Sequence, residues 1–561
     1  MSSKHSFVNL GLLITISAAI FWTRIDWGLP STFTNRLYFQ SLSALQSRVE
    51  RIKRYGGEVR PKVPQTAVPR SWYNPIRSYH PDEYFVIKSL AGMNPKRCDF
   101  NPRQFSIGGA YLYPLGALLL GLSKLNLITL TSDLGFYFLH PEEIARFYLT
   151  GRFVSAFFGI GVVILTYLLT LRIWGEKSAG LIAGLLVSFS PLLVLNTHYM
   201  YVDIPGLFWI MLTLYLGVRF LQEKRPKFAP FLLGVTSGLA AGSKLPFLPV
   251  FLIPLTTIVF SPGYFLPKIR QFLWATGGFF TIFFLFNPYL FQIIKEMVPQ
   301  ISRSCTLTFL PLFYLQSLRF GLGLPLLSFS LIGFILSLFF RGMEGVFPRE
   351  RLLVLIWTFL FFFFISSFAV HFGRYILPIV PSFIALGVGP WVVPSKRKRG
   401  ITIFKKLVAS FVVVATFLYG MAYLSLFWKE NTRTVAGKWI KESLLPGATI
   451  GVTEVPWQFQ LPPLDEDRYC LVVTGYNLEK LKKAKPDYFL LSSFQAGISP
   501  VPAQLSPEKA TFWKEFEDSG LYQPLASFSQ PLQFLGFKFS QNFASEDFIY
   551  LNPTIVIFET R

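Results

Sequence analysis

The sequence predicts an all-α polytopic membrane protein of about eleven transmembrane helices, with outer juxtamembrane helices and a C-terminal extracytoplasmic α/β domain. Of the 561 residues, 52% are hydrophobic even without glycine, and only 15% are charged. That apolar surface exceeds what one soluble core can bury. The net charge of +23 comes largely from short basic runs between apolar segments, such as 396–399. This is the pattern of cytoplasmic loops beside anionic lipid, so no nucleic-acid partner is expected.

Eleven apolar segments have about the length needed to cross roughly 30 Å of hydrocarbon. They are 7–25, 148–171, 178–195, 204–221, 229–243, 245–260, 272–290, 317–340, 352–370, 375–393 and 407–427. The first resembles a signal peptide, but no small-x-small cleavage site follows it, so we interpret it as a retained anchor. The fifth and sixth segments are short and are separated only by Lys244.

The distribution of lysine and arginine sets the orientation. With the N-terminus inside, the basic loops face the cytoplasm, and the outer short loops carry only Lys244, Lys295, Arg303 and Arg374. We therefore predict a multi-pass protein of the cytoplasmic (inner) membrane with its C-terminal domain outside. Segment 106–124 is apolar enough to span, but a span there would reverse every later loop. We predict an outer juxtamembrane helix, and a span with a different parity elsewhere is the alternative.

Two large pieces are then predicted outside the membrane, a first outer loop over 26–147 and a tail over 428–561. In the loop, apolar residues at helical spacing from Phe39 to Ile52 indicate an amphipathic helix, which docks on the membrane surface or on the tail. The tail alternates helical and strand patterns, which is typical of a sheet covered by helices. Its predicted helices are 434–445 and 478–483, and its predicted strands are 448–453, 471–474, 487–491 and 554–558.

The strongest local motif is His80-Pro81-Asp82-Glu83 in the first outer loop. Proline suits the first helical position and an acid in the first turn is stabilised by the helix dipole, so Asp82 and Glu83 are predicted at a helix start. Adjacent helical residues point ~100° apart, so only one of them can face a substrate. A carboxylate there can act as a general base on a hydroxyl. Two capping carboxylates on a solvated helix is the alternative, which the pattern alone favours.

Other charges lie at the predicted outer ends of spans. Asp203 lies at the start of the fourth span and is either a helix end or a site residue. Lys244 and Arg374 lie at two more outer boundaries, and Arg152 lies about a turn into the second span. Cations so close to hydrocarbon need a partner. They either snorkel to the interface or bind an anionic lipid phosphate. Three neighbours complete the candidates: His80, His371 and Tyr375.

Other catalytic motifs are missing from the sequence. It contains no P-loop, no Gly-rich motif after a strand, no HExxH and no Ser-His-Asp pattern. The three cysteines at 98, 305 and 470 have no CxxC spacing. A divalent metal is therefore not indicated, and no cofactor is certain. A nucleotide-sugar donor would need a cytoplasmic soluble domain, which the pattern does not predict, and this leaves lipid-borne substrates.

The motifs together resemble the GT-C superfamily of polyprenol-phosphate-sugar glycosyltransferases. The similarity is greatest to the branch of the protein O-mannosyltransferases and the bacterial aminoarabinose transferases. It covers roughly residues 5–430 and depends on motifs in the expected order. These are His80-Pro-Asp-Glu, Arg152-Phe-Val-Ser, Ser190-Pro ahead of Asp203, Gly242-Ser-Lys and Arg374-Tyr-Ile-Leu-Pro.

The resemblance implies a GT-C-like transmembrane catalytic domain over 1–427 that uses a polyprenyl-phosphate sugar as donor. Sugar transfer to an extracytoplasmic hydroxyl would invert the anomeric carbon, with Asp82 as base. Glu83 would position acceptor or donor, and Asp203 would organise the carboxylates. Lys244 and Arg374, with Arg152, are expected to bind the carrier phosphate, by placement more than by motif.

The chain also departs from the family pattern. Loop 290–316 is too short for the sugar-binding insert of the eukaryotic O-mannosyltransferases, and a tail domain is present instead. The acceptor therefore stays open between a protein Ser or Thr and an envelope lipid or glycan, and a mannose-like hexose is one candidate sugar. The oligomeric state is not indicated. A secondary transporter or lipid-carrier flippase, or a membrane scaffold, is the alternative, although no internal repeat is visible.

Overall fold

The computed structural model describes most of the chain and leaves out short stretches between its elements. The described residues are 3–39, 41–54, 76–223, 227–292, 294–295, 310–339, 348–368, 372–393, 399–454, 459–465, 467–495, 507–542 and 544–561. Helices account for nearly all of the structure up to residue 443, and a mixed sheet follows.

The helices before the sheet follow one another with short connections. They are Ser3–Trp22, Thr32–Tyr38, Leu42–Arg54, Glu83–Ala91, Gly109–Lys124, Leu134–Leu139, Pro141–Trp174, Lys177–Phe189, Pro191–Thr197, Asp203–Gln222, Ala229–Ser243, Leu252–Phe260, Phe265–Phe286, Pro311–Leu322, Leu324–Ser337, Arg349–Ser366, Val380–Val392, Arg399–Trp428 and Thr432–Ser443. Three 3₁₀ helices accompany them: Pro95–Arg97, Leu245–Phe251 and Gly373–Ile379. Each of the eleven predicted apolar segments overlaps helical structure.

Among the described residues, five helices are long and apolar enough to cross a membrane, and the number rises to seven if each bent pair is one span. The five are Pro141–Trp174, Asp203–Gln222, Phe265–Phe286, Gly373–Val392 and Gly400–Ser443. Other apolar helices are shorter, including Ala229–Ser243 and Leu245–Phe260. The chain is therefore a multi-pass membrane protein, and the total of eleven spans stays a prediction.

Both bends follow from local backbone chemistry. The bend of 60° lies between Lys177–Phe189 and Pro191–Thr197, where Pro191 disfavours a helical conformation at Ser190. The bend of 118° lies at Gly323, which adopts a φ of 77° that a side chain would strain. These bends break two predicted spans into shorter helices.

Close backbone contact fixes the helix that leads to Lys244. A Cβ added at Gly234 would lie 2.0 Å from the Ala275 carbonyl oxygen, and one at Gly278 would lie 2.5 Å from the Phe231 carbonyl oxygen. Small residues thus allow Ala229–Ser243 and Phe265–Phe286 to pack backbone against backbone, as is common in membranes. The backbone N–H of Gly108 also donates to the Ser243 carbonyl oxygen at 2.7 Å, which anchors the first outer loop beside Lys244.

Within the predicted first outer loop, helix Leu42–Arg54 confirms the amphipathic pattern, since Leu45 and Val49 are buried. It packs on helix Leu134–Leu139 of the same loop, a partner that the sequence did not suggest. Helix Gly109–Lys124 has 16 residues, fewer than the roughly 20 that a span needs. This length favours the predicted juxtamembrane position.

The tail forms a five-stranded sheet in the order β2-β1-β3-β7-β4. Its strands are β1 Thr449–Val452, β2 Cys470–Val473, β3 Tyr488–Ser492, β4 Tyr522–Phe528 and β7 Ile555–Thr560, and a hairpin is formed by β5 Leu532–Phe534 and β6 Phe537–Phe539. Its remaining helices are Leu478–Ala484, Pro507–Ser519 and Glu546–Ile549. Strand β1 pairs in parallel with β2 and β3, whereas β7 pairs antiparallel with β3 and β4. Sheet and helices confirm the α/β pattern.

One part of the tail belongs to the helical core. Leu532, Ala544, Phe548 and Leu551 are buried in the same apolar cluster as the long helices, whereas the sheet has apolar clusters of its own. The tail is therefore not separated from the helices by packing, because segment 532–551 returns to them.

Candidate functional site

Asp82 immediately precedes helix Glu83–Ala91. This helix begins two residues later than Pro81, where the sequence pattern predicted its start. Asp82 occupies the N-cap position, but its side chain makes no capping hydrogen bond, which does not fit the alternative of two capping carboxylates on a solvated helix. Instead, its Oδ2 lies 2.6 Å from Nη2 of Arg374, and the side chain is only 16% exposed. Burial raises the pKa of the Asp82 carboxyl, and this effect outweighs the opposing pull of Arg374.

Glu83 faces the other way, as the helical geometry required. Both of its oxygens bond the guanidinium of Arg152 at 2.7 Å. The backbone N–H of Met200 donates to Oε1 at 2.7 Å, and the Ser78 hydroxyl donates to Oε2. The two paired side chains are 0% and 1% exposed. Glu83 is therefore a fully hydrogen-bonded buried carboxylate with no room for a substrate.

Arg152 has no free face for a phosphate either. Besides its two bonds to Glu83, its Nη1 donates to the carbonyl oxygens of Ile25 and Trp27 at 2.7 and 2.6 Å. This geometry argues against the predicted role of Arg152 in donor binding. The pair instead joins the segment after the first helix, the first outer loop and the second predicted span.

Arg374 is the centre of a second charged cluster. Its Nη2 faces Asp82, its Nε lies 3.4 Å from Oδ2 of Asp203, and its Nη1 contacts Asp547. Lys244 joins the cluster by donating to Oδ1 of Asp203 at 2.7 Å. The structure thus brings together Asp82, Asp203, Lys244 and Arg374, which lie far apart in sequence. We call these four residues and Asp547 the Arg374 cluster.

Hydrogen bonding in the Arg374 cluster is incomplete. The contacts at Oδ2 of Asp82, Oδ2 of Asp203 and Nε of Arg374 lack hydrogen-bond geometry, although all three atoms are buried. Buried polar atoms are normally satisfied, and exceptions concentrate at functional sites. The cluster therefore has the character of a binding or catalytic site, whereas the Glu83–Arg152 pair does not.

Asp547 is the site residue that sequence reasoning missed. It lies on the short tail helix Glu546–Ile549, is buried, and also accepts a hydrogen bond from the Arg374 backbone N–H at 3.2 Å. The contact joins residues 173 positions apart. The one available signal was the acidic pair of Glu546 and Asp547 ahead of Phe548, Ile549 and Tyr550, which is common in helix starts.

Aromatic rings enclose the cluster. Lys244 lies with its Nζ 4.3 Å from the Tyr375 ring centroid, and Arg374 lies 5.6 Å from that of Tyr201. His80 stacks on Tyr199 with 4.0 Å between ring centroids. Burial, followed by the charges of Arg374 and Arg152, lowers the pKa of His80 well below its ordinary value. A neutral His80 is therefore a packing residue beside Asp82. His371 lies outside the described residues.

The arrangement can serve two chemical tasks. Asp82 offers a half-buried carboxylate with a raised pKa, and Arg374 with Lys244 offers two fixed positive charges within the same cluster. A base beside fixed cations suits the removal of a proton from a hydroxyl together with the departure of an anionic group. Among the described residues, no three carboxylate, histidine or cysteine side chains converge in a way that would hold a metal ion.

The fold of apolar helices, with Asp82, Lys244 and Arg374 clustered at helix ends, defines a membrane protein with a charged site at the ends of its helices. The sequence model of the dolichyl-phosphate-mannose-protein mannosyltransferases matches residues 114–315. The predicted resemblance to the protein mannosyltransferases is thereby confirmed over this stretch, which is about a third of the chain. The matched stretch contains Arg152, Asp203 and Lys244, but neither Asp82 nor Arg374.

One sequence relative matches part of the chain. An uncharacterised protein of Aquifex aeolicus (strain VF5) is 29% identical over 244 residues, which cover 41% of this chain and 46% of that protein. The chain thus matches less than half of the length of this relative.

Two solved structures match most of this chain at low identity. The oligosaccharyltransferase AglB from Archaeoglobus fulgidus, in complex with an inhibitory peptide and a dolichol-phosphate, is 12% identical with a TM-score of 0.43, over 98% of this chain and 77% of its own. ArnT from Cupriavidus metallidurans, bound to undecaprenyl phosphate, is 12% identical with a TM-score of 0.42, over 99% and 98%. Similarity at this level transfers neither a site residue nor a substrate.

Proposed function

We propose that the chain is a membrane glycosyltransferase that moves a sugar from a polyprenyl-phosphate carrier to an acceptor hydroxyl on the extracytoplasmic side. The single observation that supports this most is the buried Oδ2 of the half-buried Asp82, 2.6 Å from the guanidinium of Arg374. The match of residues 114–315 to a family that uses lipid-phosphate sugar donors supports the donor class. A mannose-like hexose and a protein, lipid or glycan acceptor are consistent with this proposal.

In the proposed reaction, Asp82 accepts the proton of the acceptor hydroxyl. The hydroxyl oxygen forms a bond to the anomeric carbon as the bond from that carbon to the carrier phosphate breaks. A displacement with one base and no covalent intermediate inverts the anomeric carbon. The phosphate leaves with its negative charge, which Arg374 and Lys244 stabilise as fixed cations in a low-dielectric site. Asp203 holds Lys244 and Arg374 in place through both of its oxygens.

Glu83 and Arg152 have no chemical step in this proposal. Their pair is fully bonded and holds the helix start so that Asp82 points at Arg374. Their predicted roles in positioning a substrate and in binding phosphate are therefore replaced by a structural role.

The test is transfer of labelled sugar. Purified protein is offered a panel of radiolabelled polyprenyl-phosphate sugars with membrane extract as acceptor, beside Asp82→Asn and the matched control Asp26→Asn, an exposed aspartate. We expect transfer by the native protein and the control, and none above background by Asp82→Asn. Equal transfer by all three would exclude Asp82 as the base. No transfer with any donor by folded native protein would favour the transporter alternative.

A further inference from the structure

Arg374 forms an anion cradle that Asp547 fills. The backbone N–H of Arg374 and its Nη1 both face the carboxylate of Asp547, whose side chain is 6% exposed. A main-chain N–H and a guanidinium that converge on one anion form the kind of site that proteins use for phosphate groups. The occupant here is a carboxylate from the tail.

The charges of the cluster do not leave room for a further anion. The cluster has three carboxylates but only two positive charges, those of Lys244 and Arg374. A phosphate that joined all five groups would add negative charge to a buried site that already has one carboxylate in excess, which is costly. One carboxylate must therefore give up its place before a phosphate can bind.

Asp547 is the carboxylate best placed to leave. Asp203 is held by Lys244 at 2.7 Å, and Asp82 is the proposed base. Asp547 instead lies on a four-residue helix of the tail, Glu546–Ile549. Next to it, the Ser545 hydroxyl is buried and has no hydrogen-bond partner.

We propose that Asp547 is a positioning residue that contacts Arg374 at the donor-phosphate position before the donor binds and is displaced when the carrier phosphate binds. The inference rests on the proposed function. It assigns the tail a direct part in the site, because the helix Glu546–Ile549 must withdraw from Arg374 as the donor enters.

The first test compares binding of a polyprenyl phosphate without sugar to native protein, Asp547→Asn and the matched control Asp518→Asn. Asp518 is an exposed aspartate on another tail helix. Removing a charged competitor should tighten binding by about ten-fold, and the control should leave it unchanged. A merely structural Asp547 would give weaker binding or none, because Arg374 would be misplaced.

The second test locks the helix in place. A Cβ added at Gly373 would lie 2.5 Å from the Ser545 hydroxyl oxygen, which is compatible with a disulfide between Gly373→Cys and Ser545→Cys. In a background with the native cysteines replaced by serine, we expect the oxidised double variant to lose polyprenyl-phosphate binding and the reduced protein to regain it. The single variant Gly373→Cys should not respond to oxidation.

The outcomes separate this inference from the proposed function. If Arg374→Gln abolishes binding while Asp547→Asn and the oxidised staple leave it unchanged, Asp547 is not a competitor and the inference is wrong. If the native protein binds no polyprenyl phosphate in either redox state, the proposed function fails and the inference fails with it.

Discussion

Two acid–arginine pairs use acids that are adjacent in sequence, Glu83 with Arg152 and Asp82 with Arg374, and differ in almost every other respect. Glu83 and Arg152 make hydrogen bonds with nearly all of their polar atoms. Arg374 is also buried and Asp82 is half-buried, but their contacts leave polar atoms without hydrogen-bond geometry, and their cluster has an excess carboxylate. A pair whose polar atoms are all hydrogen-bonded holds helices together. A pair with polar atoms that lack hydrogen bonds can still bond a substrate.

The largest effect is expected on the transfer rate, when the Asp82 carboxylate is removed. Asp82→Asn keeps the size of the side chain but removes the proton acceptor, so the transfer rate should fall about 10²- to 10⁴-fold. Its apparent melting temperature should stay near that of the native protein, because the asparagine leaves the Glu83–Arg152 pair intact. A rate within a few-fold of native would contradict the role of Asp82.

The next largest effect is on stability. Glu83→Gln leaves the buried Arg152 without a counter-charge, which should cost about 3–5 kcal/mol of folding free energy. Replacement of both partners by leucine should recover only part of that loss, because no buried charge remains but the Met200 N–H and the Ile25 and Trp27 carbonyls lose their partners. Thermal unfolding in detergent measures both variants, and a double variant as unstable as Glu83→Gln would show that the pair does more than stabilise.

Lys244→Met should have a smaller effect, of about ten-fold, on donor affinity. Lys244 adds the second positive charge to the Arg374 cluster, and Asp203 retains its contact with Arg374 when Lys244 is removed. Titration with a polyprenyl phosphate measures the affinity, with the exposed Lys124→Met as control. Unchanged affinity would place the carrier phosphate away from Lys244.

The pH dependence sharpens the assignment of the base. Because burial raises the pKa of Asp82 above its ordinary 3.8, transfer should be lost as pH falls through a value above 3.8 and should rise with pH until Asp82 is ionised. The pKa of His80 is lowered by burial, so His80→Gln should leave this acid limb in place. A limb that moves with His80→Gln would identify the histidine as the titrating group.

The smallest expected effect is that of chelation. Each carboxylate of the cluster already contacts Arg374 or Lys244, so a divalent ion would have to displace one of these cations. We therefore expect EDTA to leave the transfer rate unchanged, measured with the same labelled donor. A loss that added Mg²⁺ or Mn²⁺ restores would contradict this view of the cluster.

The sequence was sufficient for features with a local cause. Apolar length predicted the helices, and Pro81 with the following acids predicted a helix start within two residues of the observed one. The same reasoning indicated that only one of Asp82 and Glu83 could face a substrate, but not which one. That choice depends on Arg152, which lies 69 residues from Glu83.

Long-range pairing limited the rest of the site prediction. The sequence pattern placed three cations near one predicted membrane boundary: Arg152, Lys244 and Arg374. No local feature distinguished a cation that is already paired from one that can bind a ligand. Asp547 was missed because its partner lies 173 residues away and its own segment has only an ordinary helix-start pattern. Sequence patterns thus located the charges, and the fold decided their partners.

The most direct test of the account is a single-turnover transfer assay on folded Asp82→Asn and Glu83→Gln, each normalised to the fraction of folded protein at low temperature. We predict that folded Glu83→Gln transfers sugar at close to the native rate, whereas folded Asp82→Asn transfers almost none. A loss of transfer in folded Glu83→Gln as large as that in Asp82→Asn would contradict the division into a structural pair and a catalytic cluster.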